Sequence, residues 1–159
     1  MVDVTFCVNG REMSANVASN KTLADFLRDD LYLTGCRIAC DGGVCGACTV
    51  LVDGSPVAAC STFAFEIDKS SIETIEGLAA PDGNLHPIQQ AFLKSDAFQC
   101  GFCTSGFILS VKALLEMHPS PDDRTIRDWL KGNICRCTGY KSIIDATRLA
   151  SAMMLEAAP

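Results

Sequence analysis

Cationic excess, long apolar runs and an amino-terminal leader are all missing from this chain. Thirteen Lys and Arg against 19 Asp and Glu leave a net charge of −6, which repels a phosphate backbone and excludes nucleic acid as a partner. No run of about 18 apolar residues occurs, and Lys, Glu or Asp interrupts the longer stretches, so no membrane span is expected. No Lys/Arg-rich amphipathic face is present either. The opening MVDVTFCVNG has neither a positive region nor an apolar one, so nothing marks the chain for secretion and a reducing, cytoplasmic setting is expected. Histidine is down to two residues, His86 and His118, each directly before a proline, the position of a helix-boundary residue.

Cysteine, by contrast, is abundant, with ten in 159 residues. A chain of this length with 48% hydrophobic content can bury one or two cores without disulfides. In a reducing compartment, cysteines at fixed spacings are metal ligands or redox groups. Eight of the ten fall into two sets of four: Cys40, Cys45, Cys48, Cys60 and then Cys100, Cys103, Cys135, Cys137.

The first set reads C-x4-C-x2-C with a distant fourth cysteine, the spacing of plant-type [2Fe–2S] ferredoxins. Gly42, Gly43 and Gly46 let the loop wrap a cluster and bring backbone amides to its sulfurs. Zinc ligands come as two separated pairs, whereas this loop packs three cysteines into nine residues. A Rieske centre would need histidines interleaved with the cysteines, and neither histidine is so placed. Cys36 complicates the set, because Cys36, Cys40, Cys45 and Cys48 would also make four. A hairpin over Thr49–Gly54 returning the chain to the cluster edge favours Cys60, leaving Cys36 and Cys7 as small, partly buried thiols. The second set pairs CxxC with CxC, a spacing open to zinc as well as to iron–sulfur. Placed at helix starts, the pairs would face each other across a bundle, where helix amides favour an anionic cluster.

The expected fold class is α+β: a β-grasp, plant-type ferredoxin domain over residues 1–77, a breaker-rich linker at 78–86 and a four-helix domain over 87–159. Val2, Val4, Phe6 and Val8 alternate on one strand face, Asn9-Gly10 is a two-residue hairpin turn, and Arg11 to Val17 returns as a second strand. Thr22, with Asp25 three residues on, caps a helix whose stripe is Leu23, Phe26, Leu27 and Leu31. Further strands are expected at Thr49–Asp53, Pro56–Cys60 and Ser71–Ile75. Helices are expected at Pro87–Ser95, Cys103–His118, Asp122–Lys131 and Ser142–Leu155, with Ser120 capping the third and Ile126, Trp129 and Leu130 as its buried face.

Three strings carry a family resemblance: Cys40-Asp41-Gly42-Gly43-Val44-Cys45-Gly46-Ala47-Cys48-Thr49-Val50, then Gln99-Cys100-Gly101-Phe102-Cys103, then Gly132-Asn133-Ile134-Cys135-Arg136-Cys137-Thr138-Gly139-Tyr140. In register over nearly the whole chain, the sequence resembles the small iron–sulfur subunit of the xanthine oxidase family of molybdenum hydroxylases, in its separate-subunit bacterial form. The resemblance implies Cys60 as fourth ligand of the first cluster and a second [2Fe–2S] cluster on Cys100, Cys103, Cys135 and Cys137. It further implies a large partner subunit with molybdopterin dinucleotide, a medium partner with FAD, and a heterotrimer or a dimer of heterotrimers. Electrons would pass from molybdenum to the second cluster, to the plant-type cluster and on to flavin, with Gln99 and Cys100 near the pterin and no catalytic residue on this chain. One departure is visible: Thr104-Ser105-Gly106-Phe107 stands where the family commonly has Thr-Pro-Gly-Met. A free-standing ferredoxin and a zinc-stabilised interaction module are the competing readings.

Overall fold

The computed structural model describes residues 1–157, so the last two residues of the expected helical segment lie outside the described residues. Strands β1 (Val2–Val8) and β2 (Arg11–Val17) pair antiparallel from Val2↔Val17 to Val8↔Arg11. Asn9 and Gly10 both take positive φ, 48° and 79°, the backbone twist that a two-residue hairpin needs. Val4, Phe6 and Val8 are buried, whereas Val2 shares their face but lies past the core and is exposed.

Thr22 caps as expected: its Oγ1 accepts the Asp25 N–H at 3.1 Å and donates to the Asp25 carboxylate at 2.7 Å. The element that follows differs from an ordinary helix. A short α1 (Leu23–Asp25) widens into a π-helical turn over Phe26–Asp30, closed by the Leu31 N–H on the Phe26 carbonyl at 3.2 Å. The extra residue in that turn carries Leu31 off the i, i+4 stripe, and Leu31 is only half-buried. Leu23 and Leu27 are fully buried, and Phe26 meets Phe6 edge-on with ring centroids 5.6 Å apart.

Strands β3 (Thr49–Val52), β4 (Ser55–Ala58) and β5 (Ser71–Glu73) complete a five-stranded sheet of order β2-β1-β5-β3-β4. The β1–β5 pairing is parallel and the other pairings are antiparallel. The expected strand through Cys60 stops earlier. Ser61 and Thr62 hydroxyls donate to the Ala58 carbonyl at 3.1 and 3.2 Å, which turns the chain into a 3-10 turn over Ala59–Ser61 that carries Cys60.

Four helices follow: α2 (Pro87–Lys94), α3 (Thr104–Met117), α4 (Asp123–Trp129) and α5 (Lys141–Glu156). His86 caps the start of α2, its Nδ1 accepting the Ile88 N–H at 3.3 Å, and His118 ends α3. The cap of α4 is Asp122 rather than Ser120. The Asp122 carboxylate accepts the Thr125 N–H at 2.7 Å, and a carboxylate at a helix start meets both the free amide and the positive dipole end. Ile126 and Leu130 are buried, and the half-buried Trp129 donates its indole N–H to the Ser110 carbonyl at 2.9 Å.

One core gathers Val4, Phe6, Leu23, Leu27 and Ile72 with their neighbours, and a second gathers Ile88, Phe92, Phe107, Leu114 and Ile143 with theirs. Leu51 of β3 packs with Leu109 and Ala113 of α3 where the two meet. At that seam Lys112 of α3 lies 3.0 Å from the Glu73 carboxylate. Among the described residues no helix is long and apolar enough to cross a membrane.

Candidate metal centres

The loop before β3 is held at its entry by charged side chains. Arg28 donates to the carbonyls of Thr34 and Cys36, each at 2.9 Å, and the Glu76 carboxylate accepts the Gly35 N–H at 2.7 Å. The loop then brings Cys40 beside Cys45, and Cys48 beside Cys60, with Cys45 close enough to act on the Cys48 charge. Backbone amides point at these sulfurs: Val44 and Cys45 N–H reach Cys40 Sγ, both at 3.4 Å, and Gly43 N–H reaches Cys60 Sγ at 3.3 Å. The amides of Cys45, Gly42 and Val44, that of Cys45 foremost, draw the exposed Cys40 thiol down to about 6. Cys48 goes the other way, pushed up to about 11 by burial.

Two glycines make the wrapping possible. Gly43 and Gly46 have φ of 71° and 67°, and a Cβ on Gly46 would sit 2.4 Å from the Gly132 carbonyl oxygen. Cys36 lies beside this set but is engaged differently. It is buried, its thiol donates to the Cys48 carbonyl at 3.5 Å, and burial pushes it up to about 12.

In the second set, Cys103 stands at the start of α3, where a helix start was expected. Cys135 and Cys137 do not; they lie in the irregular loop ahead of α5, which enters its helix only after Tyr140 turns at φ 69°. Cys100 and Cys137 sulfurs are 3.7 Å apart, and Cys103 lies beside Cys135. Burial pushes Cys103 up to about 12. Burial also raises Cys135, but the Thr138 hydroxyl and amide, 3.1 and 3.4 Å from its sulfur, outweigh it and bring the thiol below its usual range. Cys100 and Cys137 are exposed, so this set has an open edge.

The thiols come as pairs, two and two, in each set. Paired thiolates with amide donors aimed at sulfur fit a two-iron, anionic core, in which each iron takes two cysteines.

Gln99 does not cap α3. Its side-chain amide donates to the Cys137 carbonyl at 3.0 Å, tying the CxxC loop to the CxC loop. The two departures from the family string face inward: Ser105 Oγ donates to the Gly35 carbonyl at 2.7 Å, and Phe107 is fully buried, edge-on to Tyr140 at 6.3 Å.

Two residues without a ligand signature link the sets. The Ile134 N–H donates to the Cys45 carbonyl at 2.8 Å, and the buried Asn133 side chain donates to the Gly46 carbonyl at 2.9 Å and to Thr49 Oγ1 at 3.3 Å. Their mark in the sequence is a place in the third family string, directly before the CxC pair. Asn133→Ala, which removes both side-chain bonds, is expected to lower stability by about 1–2 kcal/mol, read as an earlier midpoint in denaturant.

Residues 9–96 match the family described as a 2Fe-2S iron-sulfur cluster binding domain, and residues 74–148 match that described as a [2Fe-2S] binding domain. Subunit beta of the 6-hydroxypseudooxynicotine dehydrogenase complex of Paenarthrobacter nicotinovorans is 50% identical over 145 residues, covering 91% of this chain and 90% of that protein. The nicotinate dehydrogenase small FeS subunit of Eubacterium barkeri is 45% identical, with 94% of each chain covered. In three dimensions the aldehyde oxidoreductase of Desulfovibrio gigas superimposes with a TM-score of 0.94 at 42% identity, over 100% of this chain and 18% of that longer one. The mixed α/β architecture is thus that of a [2Fe–2S] ferredoxin-like fold with helices appended. With both iron–sulfur matches in the order of the two thiol sets, and with likeness to small subunits over nine-tenths of their length, the chain belongs to the small iron–sulfur subunits of the xanthine oxidase family of molybdenum hydroxylases.

Proposed function

We propose that this chain relays electrons between a molybdopterin centre and FAD, each carried by a partner subunit, through two [2Fe–2S] clusters. The observation that carries this reading is the bond from Ile134 N–H to the Cys45 carbonyl at 2.8 Å. Cys45 belongs to one thiol set, and Ile134 directly precedes Cys135 of the other, so this bond runs from a ligand residue of one set to the neighbour of a ligand in the other. When bound, each cluster accepts one electron and passes it on.

Cys40, Cys45, Cys48 and Cys60 hold the plant-type cluster, and Cys100, Cys103, Cys135 and Cys137 hold the second. The amides on Cys40 and Cys60, and the Thr138 donors on Cys135, support these sets, since they stabilise negative sulfur. Cys36, buried and with its thiol donating to the Cys48 carbonyl, stays outside them. The finer fold is a β-grasp over 1–77, a linker at 78–86 and a four-helix bundle over 87–159, the last supported by the shared core of α2, α3, α4 and α5.

Gln99 and Cys100 lie at the pterin side. The open edge made by the exposed Cys100 and Cys137 supports this, because a cofactor on another subunit has to reach the cluster from outside. The exposed Cys40, with Val44 beside it at 66% exposure, supports a flavin side at the other set. The complex is a cytoplasmic heterotrimer, or a dimer of heterotrimers, with a large and a medium subunit performing the substrate and flavin chemistry.

Purification in the native state tests the reading. The chain is expected to co-purify with two larger chains and to give two distinguishable EPR signals on reduction. Zinc in place of reducible iron, or a single signal worth one cluster per chain, would overturn it.

A further inference from the structure

The sulfur hydrogen bonds differ in kind between the two sets. At Cys40 and Cys60 the donors are backbone amides of Gly43, Val44 and Cys45, which no substitution short of proline removes. At Cys135 a side chain contributes as well, Thr138 Oγ1 lying 3.1 Å from Sγ with the Thr138 amide at 3.4 Å.

The direction of that hydroxyl follows from its other partner. The Tyr140 N–H lies 3.2 Å from Thr138 Oγ1, and an amide can only donate, so the oxygen accepts there. The single hydroxyl hydrogen is left for Cys135, whose sulfur as a thiolate can only accept. The arrangement is braced from the other side, because the Cys135 N–H donates to Tyr140 Oη at 3.2 Å. Thr138 is therefore held as a donor to a ligand sulfur by the turn that starts α5.

A donor to a cluster sulfur stabilises the more negative, reduced state more than the oxidised one, and so raises the reduction potential. We propose that Thr138 tunes the second cluster in this way, holding its potential above the value that backbone donors alone would give. The inference rests on the relay reading and adds to it a positioning residue, one that acts on the electron-carrying group through Cys135.

The experiment is a redox titration of the intact complex followed by EPR, comparing the native chain with Thr138→Val and Thr138→Ser. Valine keeps the shape and removes the hydroxyl, and serine restores it. In Thr138→Val the second cluster is expected to become harder to reduce, with the reduced-to-oxidised ratio at fixed potential falling by about tenfold, or about 59 mV for one electron. The plant-type cluster should keep its midpoint, and Thr138→Ser should titrate like the native chain. An unchanged midpoint in Thr138→Val, or an equal shift of both clusters, overturns the proposal. Loss of the second cluster in Thr138→Val also overturns it, since the hydroxyl would then serve assembly rather than potential. Failure of the relay reading shows separately, as a native complex with no second reducible signal.

Discussion

Gly106→Ala is expected to destabilise the protein by about 1–3 kcal/mol, although alanine is the better helix former. In an open helix this substitution gains about 1 kcal/mol, so the opposite sign is diagnostic. Gly106 lies in α3 where the helix crosses the thiol loop, and a Cβ there would fall 2.2 Å from the Gly46 carbonyl oxygen and 3.3 Å from Ala47 Cα. Both are backbone atoms, so no rotamer change relieves the clash. The Gly46 carbonyl also accepts from Thr49 Oγ1 at 2.7 Å and from Asn133 at 2.9 Å, and moving it strains the link between the sets. Thermal or denaturant unfolding of the loaded protein reads the loss. A variant as stable as the native chain would show that α3 does not bear on the loop this closely.

Cys60→Ser is expected to remove the plant-type cluster, leaving about half the iron and one of the two EPR signals. Cys36→Ser is expected to keep both. The contrast rests on their surroundings: Cys60 receives the Gly43 N–H at its sulfur, while Cys36 donates its own hydrogen to the Cys48 carbonyl. Cys60 thus lies beside Cys48 with an amide on its sulfur, whereas Cys36 is turned to a backbone carbonyl. Iron analysis and EPR of the two variants decide between them, and a cluster that survives Cys60→Ser but not Cys36→Ser would invert the ligand set.

Much of the local structure was legible because it depends on near neighbours. The Asn9-Gly10 hairpin, the Thr22 cap, both histidine boundaries and the four helices all follow from residues within a turn of each other, and each lies within a residue or two of its expected place. The misplaced details involve competition that a pattern does not rank. Asp122 displaced Ser120 as a cap, and the hydroxyls of Ser61 and Thr62 drew the Ala58 carbonyl out of the strand before Cys60. The π-helical turn at Phe26–Asp30 left no mark on the apolar stripe except the half-exposed Leu31.

The sequence by itself determined that the chain carries two sets of four thiols on a strand-rich and a helix-rich segment, because ligand chemistry and periodicity are written in residue type and spacing. Only the tertiary structure decided how the sets are joined. Cys45 meets Ile134, Gly46 meets Asn133 and Gly106, and Gly35 meets Ser105. Each of these contacts ends on a backbone atom of the thiol loop or its entry and comes from a residue far along the chain, so residue pattern says little about it until α3 is laid across β3. The same holds for Thr138, whose hydroxyl becomes a committed donor to Cys135 only once Tyr140 has turned the chain into α5.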